Sequence, residues 1–514
     1  MDFCDNTKSA KFPLNDSHGV SKDRTTRISR RKFVVVGGVA IGVVVGGALY
    51  YLSPALRSLA DSLFKLGQKE TATTTVTQPL TIQDLQWTPV RIVNSKVYDG
   101  RVSFTVENLD PSADQITLDF DSYYPPEIPQ TAFTSEADRT YAFTGTSKKQ
   151  AFSQDIVNLV GGRQYRALVT VKDKNGRETV NYTNTPYVRE FEVAESSNVS
   201  VGAYYLPWGD LTHYLGTGDL QSSNLTPLLG WYGYETYDPF FISKHIDWST
   251  GHKMNSWLVG WWGNDGRLNK VFSNPLASDV SIGVQYISND LLKVVNKGGW
   301  PTINLDDPSN MSKLTADMEI LARDFFSLPQ YWKLNGRPIV SYYFSRYFVG
   351  NVPNVIGQLR DIGQDNGFKP FIIGDEIYWY EIPNESPDWW KAYDALSAYA
   401  LHANRNAGVT KENYEARLDS LFNLWSKSGR LIPIAMPGFE HIDLQARAND
   451  PKNLDAIDRD PTKFVTRLQI ARKYVDPELN TLMITSFNDW FDNSQVEPTT
   501  QEGFKYLNTV KENT

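Results

Sequence analysis

The order of apolar and polar residues divides the chain into three parts. Residues 34–52 form an apolar run of nineteen residues without a charge. From about residue 80 to residue 196, apolar and polar residues alternate with a period of two, which is typical of strands that bury one face. From residue 199 onward, short apolar runs alternate with segments of helical spacing. The sequence therefore predicts a multidomain chain with an N-terminal membrane segment, an all-β part and an α/β part.

The basic residues Arg30, Arg31 and Lys32 come directly before the apolar run. This arrangement resembles a twin-arginine export signal, and the alternative is a plain membrane anchor. We expect a disordered cytoplasmic tail over residues 1–28, the signal or membrane anchor over 29–53, and a juxtamembrane helix and linker over 54–80. The positive-inside rule then predicts a membrane-anchored protein with extracytoplasmic C-terminal domains, or a secreted one if the signal is cleaved.

The period of two predicts a β-sandwich over residues 81–196. Apolar residues alternate with polar ones along 102–106, and residues 174–176 supply a Lys-Asn-Gly hairpin turn. The pattern resembles fibronectin type III or immunoglobulin-like modules that accompany extracellular carbohydrate enzymes. We expect this part to be a spacer, and a glycan-binding role for Tyr123 and Tyr124 is the alternative.

The α/β pattern over residues 197–514 predicts a (β/α)₈ TIM barrel. The runner-up is a doubly wound open sheet, but no glycine-rich nucleotide fingerprint follows the first strand. The eight candidate strands are residues 201–208, 256–262, 302–305, 338–344, 370–373, 396–399, 431–435 and 482–487.

Composition narrows the function classes. The net charge of -8 gives no sign of a nucleic-acid partner, and the single cysteine, Cys4, excludes an intrachain disulfide. The six histidines are scattered, and with the one thiol they form no zinc-type ligand cluster. Aromatic residues make up 13% of the chain, which suits sugar sites and large aromatic cores alike.

The last candidate strand is followed by a cluster of carboxylates. Asp489 and Asp492 lie three residues apart, which lets a turn aim both carboxyls at one pocket. The alternative is that they cap a helix N-terminus while Asn488 braces a turn. The other predicted strand ends add aromatic residues and acids with few lysines. Stacking platforms with paired carboxyls suit glycoside chemistry, whereas core packing is the alternative for each single aromatic.

Four stretches of residues 200–514 resemble glycoside hydrolase family 99, the endo-α-mannosidase-like enzymes, and related proteins of polysaccharide gene clusters often labelled glycosyltransferases. They are "GAYYLPW", "PLLGWYGYETYDPFFISKHIDWSTGHKMNSWLVGWWG", "LPQYWKLNGRPIVSYY" and "SFNDWFDNSQVEP". The last resembles the Asn-Glu-Trp-x-Glu-Gly-Thr-Gln-Ile-Glu-Pro signature of the family.

The resemblance implies a route that requires no metal or organic cofactor, and a role for each matching residue. Asn488 matches a substrate-binding asparagine, Asp489 a base that acts on the sugar 2-hydroxyl, and Asp492 the general acid/base. Glu497 matches the later glutamate of the signature. Further substrate-binding matches are Asp306 or Asp307 as the acid after strand three, Trp261 or Trp262 as the platform tryptophan, Tyr399 near the reacting centre, and Tyr205 on the first strand.

Three departures from the family pattern leave the function open. Aspartate stands at both catalytic positions where the family has glutamate, "DN" replaces "EG", and Leu206 splits the first-strand motif. The first hypothesis is a membrane-anchored, retaining, endo-α-mannosidase-like glycosidase of surface or environmental polysaccharide. The alternatives are a catalytically inactive glycan-binding or cell-envelope protein, and a glycosyltransferase-like protein of surface-glycan assembly.

Overall fold

The computed structural model describes residues 78–123, 138–209, 225–230, 235–297, 300–379, 389–440 and 454–514. The predicted tail (1–28), the predicted signal or anchor (29–53), nearly all of the predicted juxtamembrane segment (54–80), and Tyr124 lie outside these ranges. Within the described ranges, no helix combines the length and the apolar character that crossing a membrane requires.

Seven antiparallel strands form two sheets in the first part of the described chain. They are β1 (Thr81–Val93), β2 (Lys96–Glu107), β3 (Gln115–Tyr123), β4 (Arg139–Phe143), β5 (Lys149–Ile156), β6 (Gln164–Lys172) and β7 (Glu178–Asn184). One sheet has the order β1-β2-β5 and the other β4-β3-β6-β7. Val102 and Phe104 of the first sheet and Leu118 and Val169 of the second belong to one buried cluster, so the two sheets pack face to face.

The predicted hairpin at residues 174–176 joins β6 to β7. The Asp173 carboxylate accepts from the backbone N–H groups of Asn175 and Arg177, and Gly176 takes a positive φ of 77°. A residue without Cβ fits this left-handed conformation, so the local sequence determines the turn. The likeness of the whole module to fibronectin type III domains stays a prediction.

The second part contains an almost closed barrel. Its strands and those beside it are β8 (Ser200–Tyr205), β9 (Met254–Trp261), β10 (Ser281–Ile287), β11 (Val294–Lys297), β12 (Trp300–Asn304), β13 (Lys333–Leu334), β14 (Arg337–Tyr343), β15 (Phe348–Val349), β16 (Phe371–Asp375), β17 (Ala395–Ser397), β18 (Ala403–Asn404), β19 (Ile434–Ala435), β20 (Leu454–Asp455) and β21 (Thr481–Ile484).

Eight of these strands pair in the order β17-β16-β14-β10-β9-β8-β21-β19, and each neighbouring pair is parallel. A parallel bridge between Leu396 and Leu431 joins the two ends of the sheet. The eight-stranded parallel barrel that the sequence predicts is therefore confirmed. Its strands are buried on both sides, which explains why they read as short apolar runs.

One predicted barrel strand is wrong. Residues 302–305 overlap β12, which pairs with β11 and β15 in a small separate sheet. The third strand of the barrel is β10, seven residues with the sequence Ser-Ile-Gly-Val-Gln-Tyr-Ile. A glycine and a glutamine interrupt the apolar run of β10, so the pattern of apolar residues does not predict it as a barrel strand.

Eight α-helices lie in the described ranges: α1 (Pro239–Gly251), α2 (Arg267–Phe272), α3 (Ser288–Leu291), α4 (Pro308–Asp324), α5 (Val352–Asp365), α6 (Tyr414–Trp425), α7 (Pro461–Lys473) and α8 (Lys505–Asn513). Three of these helices begin with an aspartate N-cap followed by a proline. Asp238, Asp307 and Asp460 each cap a backbone N–H, and proline follows at the first helical position. Proline has no N–H to leave unpaired there, so Asp-Pro marks these helix starts in the sequence.

Buried ion pairs join the end of the β-sheet module to the barrel within one compact unit, Leu80–Thr514. Arg189 is buried and pairs with Asp279 at 2.8 Å, while Lys244 of α1 pairs with Glu190 at 2.8 Å. Asp247 of α1 accepts from the Tyr187 hydroxyl at 2.9 Å. Because breaking a buried pair leaves an uncompensated charge, these contacts fix the end of the module against the barrel.

Candidate active site

A cavity of about 150 Å³ opens at the C-terminal ends of the barrel strands. Six of its lining residues are aromatic or aliphatic: Leu206, Trp208, Trp262, Ile287, Tyr343 and Tyr399. Five are polar: Gln285, Asn289, Asp290, Asp489 and Asp492. Barrel enzymes carry their chemistry at this end, and a cavity with ring faces and carboxyls can hold a sugar.

The segment after β21 is tied to the segment after β8 by Asn488. The side-chain amide of Asn488 accepts from the Leu206 N–H and donates to the Leu206 carbonyl, both at 2.8 Å. The Trp208 indole donates to the Asn488 carbonyl at 2.9 Å. Asn488 is fully buried, so its amide braces two strand ends, and the resemblance-based role in substrate binding stays a prediction.

Asp489 lies in the cavity with donors around its carboxylate. The Tyr399 hydroxyl donates to Oδ2 at 2.6 Å, and the backbone N–H groups of Phe491 and Asp492 approach Oδ1 at 3.2 and 3.4 Å. Hydrogen bonds to a carboxylate stabilise its ionised form. Burial and the neighbouring Asp489 raise the pKa of Tyr399 well above its ordinary value, so its hydroxyl keeps the proton that it donates.

Asp492 lines the same cavity in a different environment. Desolvation raises the pKa of its carboxyl from 3.8 to about 7, although a hydrogen bond with Asp489 opposes the shift. Its side chain is half-buried at the mouth of the cavity. Hydrogen-bond donors surround Asp489 whereas Asp492 is desolvated, and neighbouring acids in such unlike environments can divide base and acid roles.

The third barrel strand supplies a polar wall. Gln285 of β10 is only 1% exposed, and its amide oxygen has no hydrogen-bond partner among the residues that the structure describes. The same holds for the buried amide oxygen of Asn289, whose nitrogen donates to Asp290 at 3.1 Å. An unpaired buried polar atom costs about 1–3 kcal/mol, so a ligand hydroxyl that hydrogen-bonds these two oxygens would offset that cost.

Asp290 and Trp262 form a pair on this wall. The Trp262 indole N–H donates to Asp290 Oδ2 at 2.8 Å, which orients the ring at the cavity mouth. Desolvation raises the pKa of Asp290 although the hydrogen bond from Trp262 opposes it. Asp290 is therefore the acid that follows the true third strand.

Two of the predicted substrate-binding residues, Tyr205 and Glu497, do not line the cavity. His245 of α1 contacts the Glu497 carboxylate at 3.1 Å and the Tyr205 hydroxyl at 3.2 Å. The other carboxylate oxygen of Glu497 accepts from the Trp490 indole at 3.0 Å. Because Trp490 lies between the two acids in the sequence, this buried network holds the loop that carries them.

The structure corrects the placement of three other predicted residues. Asp307 caps α4 and pairs with Lys293, and Asp306 accepts from the Asn351 N–H, because both follow β12 outside the barrel sheet. Trp261 is buried in the core, since alternate side chains of a strand point to opposite faces. Only Trp262 of that pair lines the cavity.

Sequence reasoning missed Gln285, Asn289 and Asp290. The signal was present in the polar Ser-Asn-Asp that follows β10, the same strand-then-polar pattern that singled out Asp489. Trp208 ends the first predicted strand and Tyr343 lies within the fourth, and core packing is the alternative for each of these aromatics. In the described ranges, no group of three or more histidine, cysteine or acidic residues could hold a metal ion.

No family model matches the chain, and no curated protein matches it. Solved structures are similar to it. A family 99 endo-α-mannosidase from Bacteroides thetaiotaomicron has 17% identity and a TM-score of 0.46 over 62% of this chain and 97% of that one. A glycoside hydrolase-like protein has 21% identity and a TM-score of 0.46 over 64% and 96%. A β-glucuronidase from Bifidobacterium dentium has 9% identity and a TM-score of 0.39 over 84% and 66%.

Proposed function

We propose that this chain is a retaining, endo-α-mannosidase-like glycoside hydrolase that acts on a polysaccharide or glycan. One observation carries the proposal: Asp489 and Asp492 line one aromatic-walled cavity in unlike environments. Asp489 receives the Tyr399 hydroxyl and backbone N–H groups, whereas desolvation raises the pKa of Asp492 to about 7. The pair therefore fits a base and an acid that work together at neutral pH.

The first step follows the route that the family resemblance implies. Asp489 takes the proton of the sugar 2-hydroxyl, and that oxygen attacks the anomeric carbon. The bond from the anomeric carbon to the leaving oxygen breaks, and Asp492 gives its proton to that oxygen. The products of this step are an anhydro-sugar and the released glycan, with Asp489 protonated and Asp492 ionised.

In the second step Asp492 takes a proton from water. The hydroxide oxygen attacks the anomeric carbon, the bond to the 2-oxygen breaks, and Asp489 returns its proton to that oxygen. Two inversions at one carbon give net retention. The proton of Tyr399 stays on its hydroxyl throughout, so this residue stabilises the charge that Asp489 carries between substrates.

Ring faces supply the binding contacts in this proposal. Trp208, Trp262 and Tyr343 line the cavity, and aromatic faces pack against the C–H faces of sugars. The hydrogen bond between Trp262 and Asp290 fixes one such platform.

We also propose export or membrane anchoring, with the membrane as a partner through residues 29–53. The support is sequence alone: the paired arginines and the uncharged run of nineteen residues. The β-sheet module before the barrel then serves as a spacer that is fixed to the barrel by ion pairs of Arg189 with Asp279 and of Lys244 with Glu190.

A glycan-binding protein without catalysis is the second candidate. The observation in its favour is that both acids are aspartates, one methylene shorter than the glutamates of the family signature. A displacement of about 1 Å can lower a rate about 100-fold. The same experiment separates the two candidates.

The test is a hydrolysis screen of the full chain on α-mannans and envelope glycans, with release of reducing ends as the readout. Asp492→Asn should abolish release, and Asp419→Asn, which changes an exposed acid of α6 paired with Lys473, should leave it unchanged. Proton NMR of the first product should show the α-anomer. Binding without release favours the second candidate, and an initial β-anomer or unchanged activity in Asp492→Asn contradicts the assigned mechanism.

A further inference from the structure

The polar wall of the cavity consists of Gln285 on the third barrel strand and of Asn289 and Asp290, which follow it. The proposed roles of Asp489 and Asp492 do not explain these polar groups. Gln285 is fully buried and Asn289 is half-buried, yet the amide oxygen of each has no partner among the described residues. Both side chains line the cavity. A side-chain amide offers both a donor and an acceptor, and a sugar hydroxyl is both as well, so the two groups are complementary.

The charge of the cavity restricts which sugar fits this wall. Its lining includes the carboxyls of Asp290, Asp489 and Asp492 and, among the described residues, no lysine or arginine. Arg267 lies 5.6 Å from the Trp262 ring, but it pairs with Asp265 and is not part of the lining. Like charges repel strongly where water is partly excluded, so an anionic group is disfavoured in this cavity.

We propose that Gln285 and Asn289 recognise the hydroxyl groups of a neutral sugar ring. The carboxyl groups of Asp290 and Asp489 exclude sugars that carry a carboxylate, sulfate or phosphate group from the same position. This inference rests on the proposed function and names the substrate class of the site. In this proposal Gln285 and Asn289, on and after the third barrel strand, bind the sugar ring. Asp489 and Asp492, in the loop after the last barrel strand, act on its glycosidic bond.

The hydrogen bonds around Asp290 make the wall rigid before a sugar arrives. The Asn289 amide nitrogen donates to Oδ1 and the Trp262 indole donates to Oδ2. The donor group of Asn289 is therefore engaged, and its oxygen remains the group that faces an incoming hydroxyl proton. A site with such fixed acceptors rejects an analogue that lacks the hydroxyl, since the acceptor is then left unpaired.

Binding to the full-length Asp492→Asn chain tests the inference without turnover. The probes are α-mannotetraose, the same oligosaccharide oxidised at its C6 hydroxyls to uronic acids, and α-mannobiosides that each lack one hydroxyl. Quenching of tryptophan fluorescence can follow binding because Trp208 and Trp262 line the cavity. We expect the oxidised probe to bind about 100-fold more weakly than the neutral one. One deoxy analogue should bind about tenfold more weakly than its parent.

Gln285→Met removes the amide but keeps the shape of the side chain. In this variant the sensitive deoxy analogue and its parent should bind equally, which a merely structural role for Gln285 would not produce. Gln330→Met is the matched control, because Gln330 hydrogen-bonds the Phe272 carbonyl outside the cavity. If Gln285→Met does not fold, Asn289→Ala applies the same test at a half-buried position.

The outcomes separate this inference from the proposed function. Equal affinity for the neutral and oxidised probes, or unchanged discrimination in both wall variants, overturns the inference while hydrolysis by the wild-type chain still stands. Selective binding without hydrolysis upholds the inference and overturns the enzymatic proposal. Failure to bind any neutral probe overturns both.

Discussion

Replacing Asp492 with asparagine should stabilise the fold increasingly as the pH rises from about 4 to about 7.5. The folded-state pKa of Asp492 is about 7, raised from the ordinary value of 3.8 by desolvation. The unfolded chain therefore loses this proton at lower pH than the folded chain does. The resulting contribution to stability is complete below pH 3.8 and has been lost once the pH passes about 7. Asparagine resembles the protonated acid at every pH.

The magnitude follows from the size of the shift. A tenfold change in proton affinity is worth about 1.4 kcal/mol, so moving a pKa from 3.8 to about 7 corresponds to about 4 kcal/mol at most. The side chain of Asp492 is half-buried, and solvent screens part of this interaction. We therefore expect Asp492→Asn to gain about 2 kcal/mol over the wild-type chain at pH 7.5 and close to nothing at pH 4.

Urea unfolding followed by tryptophan fluorescence measures this difference. The probe reports on the barrel, because Trp87 is the one tryptophan in residues 81–196. Asp307→Asn is the control of opposite sign, since hydrogen bonds to Ser309 hold the pKa of Asp307 at about 2. That variant should be less stable than the wild-type chain between pH 4 and 8, and the contribution of Asp307 should fall as the pH drops through about 2. A stability gain of Asp492→Asn that does not grow with pH would refute the reasoning.

Three further predictions concern the loop after the last barrel strand. Tyr399→Phe removes the hydroxyl donor to Asp489 and should lower kcat about 10- to 100-fold with little change in KM, and unchanged kcat would contradict the role of that contact. The hydrolysis rate should fall as the pH rises through about 7, because Asp492 must be protonated, and a rate that is flat to pH 9 would argue against it. Asn488→Leu removes both hydrogen bonds to the Leu206 backbone and should cost about 2 kcal/mol or more in urea unfolding, whereas a loss of a few tenths would show that the brace is dispensable.

Much of the fold could be predicted because local patterns determine it. Alternation along 102–106 gives the buried face of a sheet, and the Asp-Pro pairs before α1, α4 and α7 mark helix starts through backbone chemistry. The apolar run of β21 followed by polar residues predicts a strand end with acids beside it. Each of these signals lies within a few residues of the feature that it predicts.

The composition of the cavity wall could not be predicted in the same way. Residues 302–305 read more clearly as a buried strand than β10 does, because a glycine and a glutamine interrupt the apolar run of β10. Only pairing with β9 and β14 puts β10 in the barrel. The sequence therefore points to Asp306 and Asp307 for the place that Asp290 occupies beside the cavity. Similarly, Trp261 and Trp262 differ only by the face of the strand that each occupies.

The sequence alone determined the order of the two folded parts, the parallel barrel and the two acids at the end of its last strand. The tertiary structure decided that a third strand, distant in the chain, brings Gln285, Asn289 and Asp290 to those acids. It also decided the surroundings of the two acids, since desolvation at the cavity raises the pKa of Asp492 and the Tyr399 hydroxyl reaches Asp489 across 90 residues of sequence. The physical reason is that periodicity and turn chemistry act within one segment, whereas strand pairing and removal from water depend on segments that meet only in the folded chain.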